Sequence, residues 1–266
     1  MPDSHEGKSD RQAAEASDGD VLLLDFSPGL NDDEDGSEII YRRCTDLLVC
    51  PESASRIEKL SMGNSRVEDL IERLESEKRT GIIKTSNDRR PSRSGTLLCQ
   101  GQVVGSFYSS KGSTRARSNE ESLPLILKDL SDRQTEVSIY DLSEPIIMAQ
   151  GALFIGYPLY RNDDFEARPY LDNAFKWLLD KKATATIDVS IETSATTTLA
   201  FVHKGRFQGC FFVDTQTFRV DLGVLLDLVD ADKDANIQVS FLSSDEFTWT
   251  MPKRLSFSSV LKDSVE

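Results

Sequence analysis

Val67, Leu70, Ile71 and Leu74 are spaced as one face of a helix, and that face returns 104 positions later as Leu171, Ala174, Phe175 and Leu178. The same shift carries Thr80 to Thr184, Ile83 to Ile187, Gly101 to Gly205, Gly105 to Gly209 and Phe107 to Phe211, without a gap. A second helical pattern, Leu123, Ile126, Leu127 and Leu130, recurs as Leu222, Leu225, Leu226 and Val229 at a shift of 99, so the first copy carries a loop five residues longer, 109–122. A chain that repeats both helix faces and both glycines repeats one folding unit. Each unit opens on a helix, the first introduced by Ser65-Arg66-Val67-Glu68, which reads as a capping box. Three β-like runs follow at 82–85, 96–99 and 103–108, then the second helix and an alternating strand around Val137 and Ile139. The expected fold is α+β, with mainly antiparallel sheets in two tandem modules, 62–160 and a diverged 168–262. Asn162-Asp163-Asp164 breaks the apolar pattern between them, and Pro169 suits the start of a helix.

Residues 1–45 are a different material. The first forty hold twelve acidic and two basic residues, so this stretch carries −10 of the net −14. Such a segment cannot bury enough apolar surface to offset its ordering entropy, and a disordered acidic tail is expected. Within it, 21–26 is an apolar island suited to docking on a partner or on the chain itself. The remainder, near −4, is not a generally basic surface, so nucleic acid is an unlikely partner. The apolar runs at 21–26 and 146–155 are short of the roughly 20 residues that a membrane span needs, and the N-terminus lacks a secretory pattern. Cys44, Cys50, Cys99 and Cys210 match no zinc or disulfide framework, which suits a reducing, cytoplasmic location.

A two-residue turn at Lys204-Gly205 is expected to pair His203 with Arg206, Phe201 with Gln208 and Leu199 with Cys210. The face carrying Ala200, Val202, Phe207, Gly209, Phe211 and Val213 then packs on the helices, as does its counterpart with Thr96, Leu98, Val103, Gly105 and Phe107. Gly101 and Gly205 make the turns, while Gly105 and Gly209 admit a helix close to the sheet. The mixed face, with Leu97, Val104 and Tyr108 in one copy and Phe201 and Phe212 in the other, is the candidate interaction surface. Packing of these faces between the two copies is the structural alternative.

Catalytic chemistry finds few carriers. His5 lies in the tail, and His203 is four residue steps from Cys210 in the expected hairpin, about 13 Å, too far to share a proton. The run 230–236 starts like a calcium loop, but Ala235 stands where glycine is needed and Phe241 where a bidentate glutamate is needed. No phosphate loop or dinucleotide fingerprint is present, so no cofactor or metal is expected. A basic cluster does exist in the first copy, with Arg89, Arg90 and Arg93 in one loop and Lys111, Arg115 and Arg117 in another. Nucleic acid, an acidic protein or the acidic tail are its possible anionic counterparts. Arg89-Arg90-Pro91-Ser92 and Lys253-Arg254-Leu255-Ser256 also suit basic-directed kinases.

The helix, the strand Thr80-Gly81-Ile82-Ile83-Lys84 and the hairpin Gly101-Gln102-Val103-Val104-Gly105 together resemble the bacterial PatA N-terminal-like (PATAN) domain family. The second copy keeps Lys204-Gly205-Arg206-Phe207 but has Thr184-Ala185 in place of Thr80-Gly81. The resemblance implies a non-enzymatic signalling or scaffolding module of a family linked to surface motility or pilus control. The expected function is therefore an adaptor for a protein partner, with self-association possible. Anion binding through the basic loops, or an enzyme using carboxylates without a recognisable pattern, are the alternatives.

Overall fold

The computed structural model describes residues 48, 57–62, 66–110, 119–159, 166–191, 194–242 and 256–263. The acidic tail 1–45 and its apolar island lie outside the described residues. The first module runs β1 (Ile57–Ser61), α1 (Val67–Ser76), β2 (Gly81–Asn87), β3 (Ser92–Cys99), β4 (Gln102–Ser110), α2 (Asn119–Leu130) and β5 (Thr135–Asp141). After α3 (Glu144–Ile155), the second runs β6 (Tyr157–Leu159), α4 (Ala167–Asp180), β7 (Thr184–Ile191), β8 (Thr196–His203), β9 (Arg206–Phe212), β10 (Thr217–Arg219), α5 (Leu222–Ala231) and β11 (Asn236–Leu242). A last helix, α6, covers Phe257–Asp263. Two antiparallel sheets result, ordered β1-β5-β2-β3-β4 and β10-β9-β8-β7-β11-β6. The shared order β5-β2-β3-β4 and β11-β7-β8-β9 bears out the tandem α+β reading.

The two copies agree in their hydrogen bonds as well. Gly101 donates its N–H to the Arg79 carbonyl at 2.7 Å and Gly205 donates to the Ala183 carbonyl at 2.8 Å. Gln100 and Lys204 each donate their N–H to a threonine hydroxyl, Thr80 at 2.9 Å and Thr184 at 3.2 Å. These bonds seat each hairpin turn on the C-terminal end of the preceding helix. Glycine is required there: φ is +79° and +76°, and an added Cβ would lie 2.9 Å from the Glu75 and Leu179 Cα atoms respectively. The capping box is not where it was expected. Arg66 is the N-cap of α1 and its side chain makes no cap bond, while Ser65 lies outside the described residues.

A β-bulge also recurs at the same place in each copy, between Leu97 and Leu98 and between Phe201 and Val202. One extra residue turns every later side chain on that strand to the opposite face. Leu199 therefore pairs with Phe211, Ala200 with Cys210 and Phe201 with Gly209, instead of the simple two-residue register. Cys210, Phe207 and Phe212 join the core under α4 and α5, and Phe211 and Val213 lie on the other side with Leu199 and Phe201. In the first copy, Phe107 likewise leaves the helix side for the opposite face, where Leu97 and Val104 lie.

That opposite face is covered by α3. Its sequence Ile146-Ile147-Met148-Ala149-Gln150-Gly151-Ala152-Leu153-Phe154-Ile155 is apolar nearly all round, as suits a helix packed between two sheets. Ile147 packs with Ile82, Leu97, Val104 and Phe107 of the first sheet, and Ala149 with Leu199, Phe201 and Phe211 of the second. The Thr186 hydroxyl donates to the Ala149 carbonyl at 2.6 Å, and the Phe107 and Phe154 rings stack at 6.3 Å. Leu48, just beyond the acidic tail, fills the same layer against Gly95 and Phe107. The result is five layers: outer helices, sheet, α3, sheet, outer helices. The boundaries 62–160 and 168–262 are crossed by β1, which precedes the first, by β6, which joins the second sheet, and by α6, which packs on α1 and α2.

Candidate interaction surface

The surface expected from the hairpin faces is interior. Leu97, Val104 and Phe201 are at most 4% exposed beneath α3. Tyr108 and Phe212 are half-buried on the other side of their sheets, against the outer helices, because the bulge turns them there. Packing between the copies, through an intervening helix, claims the area instead. Gly105 fits its expected role, with the Phe154 ring of α3 3.2 Å from an added Cβ; Gly209 has φ +143° and is covered by Phe218.

What the two copies expose diverges most at the edge formed by β1 and β5 in one and by β6 and β11 in the other. In the first copy Arg73 donates to Glu58 at 2.6 Å, and Arg79 donates twice to Asp141, at 2.6 and 2.7 Å, and once to Glu77 at 2.9 Å. The hydrogen bond to Asp141 holds the Arg79 guanidinium above its ordinary pKa. The equivalent positions of the second copy are Trp177, Ala183 and Phe241. Trp177 and Phe241 meet edge-on at 4.8 Å and Tyr157 of β6 lies 6.4 Å from Phe241. Tyr157 is 61% exposed and Leu179, near the same end of α4, 58%. An ion network in one copy is thus an aromatic cluster in the other, with Trp177 and Phe241 half-buried and Tyr157 exposed. Sequence reasoning missed it because β6 was assigned to the first module; the signal was the change from Arg73 to Trp177 at the constant shift.

The basic loop of Arg89, Arg90 and Arg93 is partly self-neutralised. Arg90 donates its N–H to Asn87 Oδ1 at 3.0 Å, and its guanidinium lies 3.8 Å from Asp129 and 3.7 Å from Asp132. Arg93 donates to Asp88 at 3.1 Å, and Arg89 is exposed. The hydrogen bond from the Gln134 N–H, with Arg90 and Arg89 nearby, holds the Asp132 carboxyl below the usual range. Beneath these arginines, Ser92 donates to Asp129 at 2.5 Å and Asn87 donates to Thr135 at 2.9 Å, where the second copy has Leu228, Ile191 and Ala235. Ser92 is 2% exposed, which removes it as an accessible kinase substrate in the folded protein. Lys111, Arg115 and Arg117 lie outside the described residues.

On the outer face of the first module, α6 lies between α1 and α2. Phe257 is buried in their core, with Val260 and Leu261 packed beside it. Glu75 caps α6 by accepting from the Ser256 hydroxyl at 2.9 Å and the Ser258 N–H at 3.0 Å. In the second module α4 and α5 pack directly on each other, and Leu179 stands at the position of Glu75.

The residues examined for catalysis have structural surroundings. His203 Nδ1 is 3.3 Å from the Thr184 hydroxyl, and burial, with Lys204 adding, lowers its pKa. Burial pushes the Cys210 thiol up to about 11. Only about one thiol in a thousand is ionised at pH 8 at that value. Cys210 is expected to stay unlabelled by maleimide at pH 8 until denaturant is added, as read by mass spectrometry of its peptide; rapid labelling of the native protein would show an accessible, reactive thiol. At 230–236 the chain makes a turn, with Asp232 accepting from the Asp234 N–H at 3.0 Å and Ala235 buried. Among the described residues no cluster of three or more His, Cys, Asp or Glu could hold a metal, and no helix is long and apolar enough to cross a membrane. Comparison of the chain with protein-family models, curated proteins and solved structures finds no match in any of the three.

Proposed function

We propose that this chain is a non-enzymatic signalling or scaffolding adaptor, built from two PATAN-like modules, that binds a protein partner in the cytoplasm. By that resemblance its setting is motility or pilus regulation. The observation that carries the reading is the cluster of Tyr157, Trp177 and Phe241, whose Tyr157 ring is largely exposed. Aromatic side chains at the surface are among those that contribute most at protein interfaces. The same backbone position in the first module is finished with Arg73, Arg79 and Asp141, so the fold does not need aromatics there. Fusion of both sheets to α3 supports a rigid platform on which such a surface is preorganised.

Tyr157→Ala removes the most exposed ring with little effect on the core. A partner captured from native extract by the full chain is expected to be held about 30-fold less tightly by this variant, the effect of one interfacial hot spot. Glu58→Ala, at the corresponding edge of the first module, is expected to leave capture unchanged. Recovery of the same partner at equal affinity by wild type and Tyr157→Ala would discard the cluster. Turnover of a substrate that depends on His203, with no protein recovered, would discard the adaptor.

A further inference from the structure

We propose that the groove between α1 and α2 is a helix-binding site, filled in cis by α6, for a partner protein's short amphipathic helix with a basic N-terminal flank. The inference rests on the adaptor reading but concerns a different surface from the Tyr157 cluster. The bound form of the ligand is visible in the occupant itself. Ser256 supplies the hydroxyl that meets Glu75, Phe257 enters the core, and Val260 and Leu261 follow three and four positions on, along one helical face.

The second module shows that this fold can close without such a helix. It closes α4 directly on α5, and has Leu179 where Glu75 caps α6. The groove and its capping carboxylate are therefore features that one copy has and the other lacks. A helix as short as Phe257–Asp263 has little stability of its own, so it forms by docking and is the easiest element to displace. A competing helix that makes the same contacts has to outcompete an α6 presented intramolecularly, at an effective concentration on the order of mM.

Charge identifies the partner. Glu68, Glu72 and Glu75 share the side of α1 on which Glu75 meets Ser256, and in the sequence Lys253 and Arg254 come shortly before α6. A basic flank on the incoming helix complements that side. A second copy of this chain is a poorer occupant, because each copy brings a net charge of −14.

The probe is a fluorescent peptide of residues 251–263, added to the full-length chain and followed by anisotropy. Two variants loosen α6 in different ways: Phe257→Ala removes its anchor, and Ser256→Asp faces a carboxylate toward Glu75 without altering the core. Both are expected to bind the peptide at least about tenfold more tightly than wild type, whose groove is already filled. Salt is expected to weaken that binding, and a peptide carrying Phe257→Ala is expected not to bind.

Equal peptide affinity for all three proteins, or no binding to a Ser256→Asp chain with wild-type circular dichroism, would overturn the proposal. Dimerisation of the variants by exchange of α6, seen by light scattering, would overturn it in favour of a second copy. Tyr157→Ala is expected to leave peptide binding unchanged. A failed peptide assay thus removes the groove and leaves the adaptor standing.

Discussion

Replacing Ile147 with alanine is expected to lower one shared unfolding midpoint for both modules by roughly 10 °C. The side chain is fully buried on the α3 face that meets the first sheet. Truncating a buried Ile costs about 2–5 kcal/mol, and each kcal/mol moves the midpoint of a chain this size by about 2–4 °C. Because α3 also carries Ala149 in the core of the second sheet, damage on one side of the helix loosens its seat on the other. Phe201→Ala, the mirror test from the second sheet, is expected to act alike at about 3–5 kcal/mol. The measurement is a thermal scan in a Trp249→Phe background, with Trp177 fluorescence reporting the second module and far-ultraviolet circular dichroism reporting both. Two separate transitions, with Trp177 insensitive to Ile147→Ala, would show that the modules fold independently and that α3 belongs to one of them.

The paired hairpin glycines are expected to be equally intolerant of a single methyl. Gly101→Ala and Gly205→Ala each force an alanine into a positive-φ conformation, at about 1–2 kcal/mol, and set its Cβ against a helix backbone that cannot rotate away. A total near 3 kcal/mol is expected for each in urea unfolding. Gly105→Ala is the contrast, because the atoms nearest its new methyl, at 3.2 Å, belong to the Phe154 side chain, which can shift. Its cost is expected to be the smallest of the three. A clearly smaller loss for Gly205→Ala than for Gly101→Ala would mean that the two turns, though alike in hydrogen bonds, are not seated alike.

Candidate sites were far less legible than the fold. Arg73 and Trp177 occupy equivalent positions, yet their contrast becomes informative only when β1 and β6 are known to occupy equivalent sheet edges. Neither strand has a repeat partner at the constant shift, so alignment of the two copies passes over both. Phe257, Val260 and Leu261 have helical spacing, but nothing local says that the adjoining Ser256 meets Glu75, 181 positions away. The hairpin faces failed for a different reason. A bulge adds one residue without a composition of its own, and that residue exchanges Phe107 with Tyr108 and Phe211 with Phe212 between the two sides.

The sequence by itself determined the duplication, the helix, three-strand, helix, strand order that both copies share, the two glycine turns and the inward faces of α1, α2, α4 and α5. Those features follow from spacings of a few residues, where backbone geometry alone decides which side chains point together. Tertiary structure alone decided that α3 joins both sheets, that α6 returns to the first module and that the second exposes Tyr157. Each of these depends on which apolar surface finds which partner, and burial is satisfied by any complementary surface, however distant along the chain.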